Sequence, residues 1–289
     1  MIAAQLIFNG IIAGAIYSLV ASGFSLIYSV SKLMHFAHGA VVASGAYFMY
    51  ELLINLGLDF WLSVILTLIL ASLIGELMNR VVYKTLRERK SSGAILLIAS
   101  IAIMTLCSAL ILIFFGADVK TIPLVNPVYD FLGARITHIQ VVMIMVSSLM
   151  LTALWLLMKK TTLGKAMRAV ADNKDVAKTV GIDPEVVYTK TFLLGSFLAG
   201  IAGILIGIEQ NLYPEMGMSL VIKGFTGAVI GGLTSVPGAV LGSYILGLVE
   251  NIGIWWLPSG YKDAIAFVVL FIFLLFRPSG LLGKTVREA

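Results

Sequence analysis

The sequence predicts an all-α fold, a polytopic transmembrane helical bundle of about 8 spans, counting short or re-entrant Gly-rich segments. Three observations predict it. Of the 289 residues, 60% are hydrophobic and only 12% are charged, against roughly 25% charged in a soluble domain. The charges cluster, and the runs between them are continuously apolar for about twenty residues, the length that crosses a bilayer as a helix. A membrane barrel would show short alternating segments instead.

Seven long apolar runs stand out in chain order, at residues 6–30, 37–54, 61–79, 92–115, 137–158, 188–208 and 262–276. The first run has no basic residue before it and is too long for a signal-peptide core, so it reads as a retained span. Two shorter Gly-rich stretches, 220–233 and 238–250, are separated by Thr234-Ser235-Val236-Pro237. Each is about 21 Å long as a helix, short of the roughly 30 Å hydrocarbon core. They are two short spans or a re-entrant pair, and broken helices at membrane depth line cavities or are buried in protein.

The formal net charge of +5 is explained by topology rather than by nucleic acid. Arg80, Lys84, Arg87, Arg89 and Lys90 share one loop. Lys159, Lys160, Lys165, Arg168, Lys174, Lys178 and Lys190 share another, and Arg277, Lys284 and Arg287 end the chain. With these placed in the cytoplasm, every lysine and arginine except Lys120, Arg135, Lys223 and Lys262 lies inside, as the positive-inside rule requires. Asp59, Asp118, Asp130 and Glu215 then fall outside. The C-terminus is expected in the cytoplasm and the N-terminus outside. The chain reads as one transmembrane domain, 1–289, whose largest extramembrane piece is the loop 159–187.

Several chemistries lack their motifs. There is no GxxxxGK[ST] phosphate loop, no HExxH pair and no GxSxG elbow in the sequence. Asp172 and Asp175 have no second acidic cluster to face across a pyrophosphate. Cys107 is the only cysteine, so neither an intramolecular disulfide nor a cysteine metal cluster is available. No cofactor, metal site or catalytic residue is expected. An ion-coupled secondary transporter would need acidic groups within its spans, and here they mostly sit at span ends.

The loop 159–187 is longer than a turn needs. Ala166, Ala169, Val170, Ala177 and Val180 recur at about helical spacing, with Lys165, Arg168, Lys174 and Lys178 between them and Gly164 and Gly181 at the ends. Such a helix can dock into a groove on a soluble partner or lie on anionic lipid.

Asp175-Val-Ala-Lys-Thr-Val-Gly181 resembles the EAAxxxG coupling loop of ABC-importer permeases, with Asp for Glu and Val for the first Ala; the usual downstream Ile-x-Leu-Pro is not matched. Asn9-Gly10, Gly14, Tyr17, Gly23, Leu26-Ile27-Tyr28 and Phe36-Ala37-His38-Gly39 are similar to the opening of the branched-chain amino acid permease family, the LivH-like subunit. Gly164 through Asn173, Gly181-Ile182, and Lys223 through Gly232 with Pro237-Gly238 continue the similarity almost end to end. The resemblance implies an inner-membrane importer of leucine, isoleucine, valine or a similar solute; relatives also carry urea and amides. It implies a second, related permease, two cytoplasmic ATP-binding subunits and an external solute-binding protein. It also makes Gly164, Lys165, Arg168, Asp172, Asn173, Asp175, Ala177 and Gly181 the surface that couples to the ATPases.

Other residues carry two readings. Asn9, Gly10, Gly14, His38, Gly39, Gly227, Gly231, Gly232 and Gly238 line the translocation pathway or pack against the partner permease; close packing within the chain is the plainer alternative. His38 alternatively bonds backbone at a helix start, and His35 reads as interfacial. Glu76 is explained by an i,i+4 pair with Arg80. Glu209, Gln210, Asn211, Glu250 and Asn251 read as interfacial residues at external span ends, or as contacts for a binding protein or an entering ammonium. Trp255, Trp256 and Tyr261 read as an aromatic anchor.

Overall fold

The computed structural model describes residues 2–283; Lys284 and Arg287 lie outside the described residues. Among those residues, seven helical stretches are long and apolar enough to cross a membrane. The chain is a multi-pass α-helical membrane protein.

Its post is α1 (Ile2–Ser31), buried almost without break from Gly14 onward. Around it pack α9 (Pro184–Glu209), α10 (Met216–Gly231) and α11 (Val236–Gly253). Four helices form the rim: α3 (Phe60–Met78), α5 (Gly93–Phe115), α6 (His138–Lys160) and α12 (Lys262–Phe276). These rim helices expose Ile65, Leu73, Ile98, Phe114, Leu149, Phe271 and Phe276. An apolar exterior around an interior holding Ser18, Ser22, Ser25, Thr191 and Ser196 fits lipid as the solvent.

Capping sets the helix starts. Asp59 accepts from Trp61 and Leu62, and Ser92 from Ile95. Thr137 and Gln140 form a capping box at the start of α6. Asp183 caps α9, with Pro184 in its first turn, where the missing N–H costs nothing.

The bundle has two ends. The hairpin end carries an antiparallel pair, β1 (Val128–Phe131) and β2 (Ala134–Thr137), turned at Leu132-Gly133. It gathers the start of α1, where Gln5 bonds the Arg135 backbone, and the 210–215 connection, where Lys120 and Leu212 form a bridge. The basic end holds α4 (Lys84–Glu88), α7 (Thr162–Asp172) and α8 (Lys174–Thr179). The segment 277–283 is there too, its Leu281 and Leu282 N–H groups donating to the Ile230 and Gly231 carbonyls at the end of α10.

Three details differ from the sequence reading. The single helix expected across 164–181 is two helices, broken at Asn173, whose side chain caps α8; Val180 is exposed while Met167 takes the buried position. The hairpin is a small β element, the one strand pair among the described residues. The expected second span is α2 (His38–Tyr50), which runs on as a π turn, Glu51–Asn55, and begins inside the bundle. Its preceding residue, Ala37, donates its N–H to Ser100 Oγ at 2.9 Å. Ser100 lies about 10 Å along α5 from Gly93 at about 1.5 Å per residue.

The Gly-rich pair is a helical hairpin closed at Gly232–Ser235. Its first arm, α10, starts in the interior: Gly217 abuts the Gly39 carbonyl, and a Cβ there would stand 3.0 Å from the Met104 methyl, midway along α5. The first turns of α2 and α10 therefore meet at depth. Gly39 and Gly217 are glycine because each Cβ would strike the other's carbonyl oxygen.

Candidate functional site

A cavity of about 390 Å³ lies toward the hairpin end, between α1, α9, α10 and the start of α12. One helical face of α10 lines it, Met216, Ser219, Leu220 and Lys223 at i, i+3, i+4 and i+7. The matching face of α1 supplies Ala13, Ile16 and Tyr17. The cavity has two characters: Ile16, Ile206 and Leu220 make an aliphatic side, while Lys223, Lys262, Asp263 and the Tyr17 hydroxyl make a charged one.

The charged side is cross-braced. Lys223 Nζ is 3.0 Å from Asp263 Oδ1 and 3.7 Å from Glu250 Oε2, and it bonds the Tyr17 hydroxyl at 3.2 Å. Tyr17 in turn donates to Glu250 Oε2 at 2.9 Å. Lys262 donates to Asn251 Oδ1 at 3.0 Å. Glu250 is fully buried and Asn251 is 2% exposed, which corrects their reading as interfacial residues. A carboxylate at that depth holds its charge only beside a cation and donors, and Lys223 and Tyr17 provide them.

A second polar cluster sits where the α1–α2 connection enters the bundle. His35 is fully buried, not interfacial, because its Nδ1 pairs with the Tyr83 hydroxyl at 3.0 Å. His38 is also fully buried. It faces the Val20 carbonyl without a hydrogen bond of good geometry. A Cβ on Gly23 would stand 2.7 Å from the His38 ring.

At the basic end, Gly164 is buried, and a Cβ there would strike the carbonyls of Leu157 and Met158. Arg168 donates to the Met158 carbonyl. Met167, Val170 and Ala177 point into the bundle; Lys165, Asp172, Asp175 and Val176 are exposed. Gly181 takes a positive φ of 83° at the turn into α9. Partial desolvation lowers the Lys32 pKa from the ordinary lysine value, with Asp172 opposing it. Glu76 does pair with Arg80, at 3.8 Å, and also accepts from Asn79 and Thr189.

The remaining small residues sit at contacts between helices of this chain. Gly10 and Gly14 lie against Leu248 and Tyr244 of α11, Gly227 against Ser243, and Gly231 against Gly238. Gly232 has φ 111° and meets Gly283. Asn9 accepts from Gln5 at 3.0 Å.

The family described as "Branched-chain amino acid transport system / permease component" matches residues 6–274. The chain belongs to this family. The permease is 33% identical to the high-affinity branched-chain amino acid transport system permease protein BraD of Pseudomonas aeruginosa, over 98% of this chain and 97% of that protein. It is 32% identical to LivH of Escherichia coli, described in the same words, over 98% and 96%. A probable branched-chain amino acid transport permease protein LivH of Methanocaldococcus jannaschii is 29% identical, over 95% and 91%. Among solved structures, "PsaBC from Streptococcus pneumoniae in complex with Fab" superposes with a TM-score of 0.52 at 15% identity, covering 94% of this chain and 91% of that one; this likeness concerns the fold.

Within this permease, the sequence reading missed the Tyr17–Lys223–Glu250–Asp263 network. A signal was present: Lys223 and Glu250 are lone charges of opposite sign inside neighbouring apolar helices, and in a membrane such charges pair.

Proposed function

We propose that this permease is the transmembrane subunit of an ATP-binding cassette importer for branched-chain or related amino acids in a prokaryotic inner membrane. In this reading the basic end faces the cytoplasm, and the hairpin end receives solute from an external binding protein. A second, related permease completes the path, and two ATP-binding subunits power it. The chain carries no phosphate loop of its own, which agrees with ATP hydrolysis on partner subunits.

The observation that carries the reading is the α7–α8 pair. It stands on α1, α6 and α9, anchored by Met167, Val170 and Ala177, and turns Val176, Val180 and Lys178 outward. A short helical pair, exposing Val176 and Val180 among Lys174, Asp175 and Lys178 and fixed to the central helices, suits a groove in a soluble partner. Motion of that partner would reach α1 and α9 directly.

The test is reconstitution. The permease, purified with its neighbouring subunits, should retain ATPases and give ATP-dependent leucine uptake in proteoliposomes; Arg168→Glu should reduce it. Uptake by this chain alone on an ion gradient would instead favour an ion-coupled transporter, with the buried Glu250 as its relay. Uptake of urea or short amides in preference to leucine would redirect the substrate.

A further inference from the structure

We propose that the cavity at the hairpin end is a substrate site built for a zwitterion with an aliphatic side chain, in which Lys223 takes the carboxylate and Asp263 the ammonium. The proposal rests on the importer reading for its physiological direction.

The volume, about 390 Å³, falls at the small end of ligand sites, which run from about 300 to 1,000 Å³. The two sides of the cavity match the two parts of such a molecule: Ile16, Ile206 and Leu220 for the hydrocarbon, the Lys223–Asp263 pair for the charged head.

The pair is arranged to open. Asp263 is 65% exposed at the side chain, whereas Lys223 is 13% exposed and Glu250 fully buried. Glu250 and Tyr17 hold the Lys223 ammonium from behind. Asp263 can therefore turn from Lys223 to an incoming ammonium without stripping the lysine of its counter-charge. The vacated side of Lys223 then meets the carboxylate, and a head-to-tail chain of alternating charges replaces the direct ion pair.

Charge balance sets the selectivity. Lys223 and Lys262 offset Glu250 and Asp263, so the site is neutral. A zwitterion leaves it neutral. An amine or an amino-acid amide adds a positive charge, and a fatty acid adds a negative one. In a partly desolvated site either addition is penalised. Glu250 is a positioning residue here, acting through Lys223 and Tyr17.

Ser219 lies on the same face of α10, one turn before Lys223, and offers a probe. In the full importer complex, with Cys107→Ser as background, Ser219→Cys is labelled by a membrane-impermeant cationic methanethiosulfonate. L-leucine should slow labelling, while leucinamide and 4-methylpentanoate should not. Asp263→Asn, a near-isosteric change at an exposed side chain, should abolish the protection. It should also lower ATP-dependent leucine uptake about tenfold, as losing one charged hydrogen bond to a ligand does, while Asp263→Glu restores part of it. Subunit retention should stay at the parental value in both variants, and Asp263→Glu, which keeps the site neutral, should keep the parental thermal midpoint.

If the parental complex shows no ATP-dependent leucine uptake, the amino-acid importer reading fails and the zwitterion site falls with it. If it transports leucine, yet leucine gives no protection or Asp263→Asn transports equally well, the site assignment alone is overturned. Protection by leucinamide as strong as by leucine overturns the zwitterion selectivity.

Discussion

The Arg87 guanidinium forks onto Glu185, Nε to Oε1 at 3.2 Å and Nη2 to Oε2 at 2.8 Å. It also donates to Asn79 Oδ1 at 3.0 Å and stacks over the Tyr188 ring at 4.7 Å. One side chain thus ties the π turn Asn79–Tyr83 and α4 to the first turn of α9. Glu185 suits that turn because the N-terminal end of a helix favours negative charge. α9 follows α8 after a short turn, and Tyr83 holds His35. Contacts therefore run unbroken from the exposed basic-end helices to the buried start of α2.

Arg87→Ala should destabilise the purified permease by about 2 kcal/mol, the scale of a charge-assisted, partly buried fork. Arg87→Lys should recover only part, because a lysine cannot fork. Thermal unfolding of Arg87→Ala, Glu185→Ala and the Arg87→Ala/Glu185→Ala double variant closes the cycle. A coupling energy near zero would mean the pair contributes nothing.

Gly217→Ala should cost about 1–3 kcal/mol, because the added methyl meets the Gly39 carbonyl and overpacked cores pay on that scale. Gly39→Ala should behave alike. Gly93→Ala is the control, since a Cβ there meets nothing within 4 Å. Folded yield in detergent separates them; equal yields for all three would remove the close approach of α2 and α10.

Val176→Glu should leave the thermal midpoint within the spread of ordinary surface changes, about 0.5 kcal/mol, because Val176 is 58% exposed. It should abolish ATPase co-purification. Asn173→Ala removes the cap of α8 and should cost about 1 kcal/mol, weakening ATPase retention without eliminating it. Retention unchanged in both variants would move the docking surface elsewhere.

How much was legible follows from the range of each interaction. Helix limits are local, so the run 92–115 became Gly93–Phe115 with Ser92 as its cap, and 262–276 became α12 without change. Burial of polar groups is not local. Glu250 depends on Tyr17 and Lys223, and His35 on Tyr83, partners that no sequence period brings together. Depth is equally hidden: α2 has the composition of a span, but the hydrogen bond from Ala37 to Ser100 starts it inside the bundle. The break at Asn173 was readable, because an asparagine followed by Lys-Asp is a helix-start pattern within a continuous amphipathic run.

The β1–β2 turn gives a prediction of the opposite sign. Leu132 and Gly133 are the two turn residues, with φ of 50° and 79°. Two-residue hairpin turns of this hand favour Asn-Gly or Asp-Gly, and a left-handed backbone costs a residue with a bulky Cβ substituent about 1–2 kcal/mol. Leu132 is also 78% exposed, so its side chain gains little packing in return. Leu132→Asn should therefore stabilise the hairpin by about 1 kcal/mol. Amide hydrogen exchange across 128–137 should slow about fivefold, which is that energy expressed as an opening equilibrium. Faster exchange in the variant would show that Leu132 holds the turn through a contact that outweighs its backbone strain.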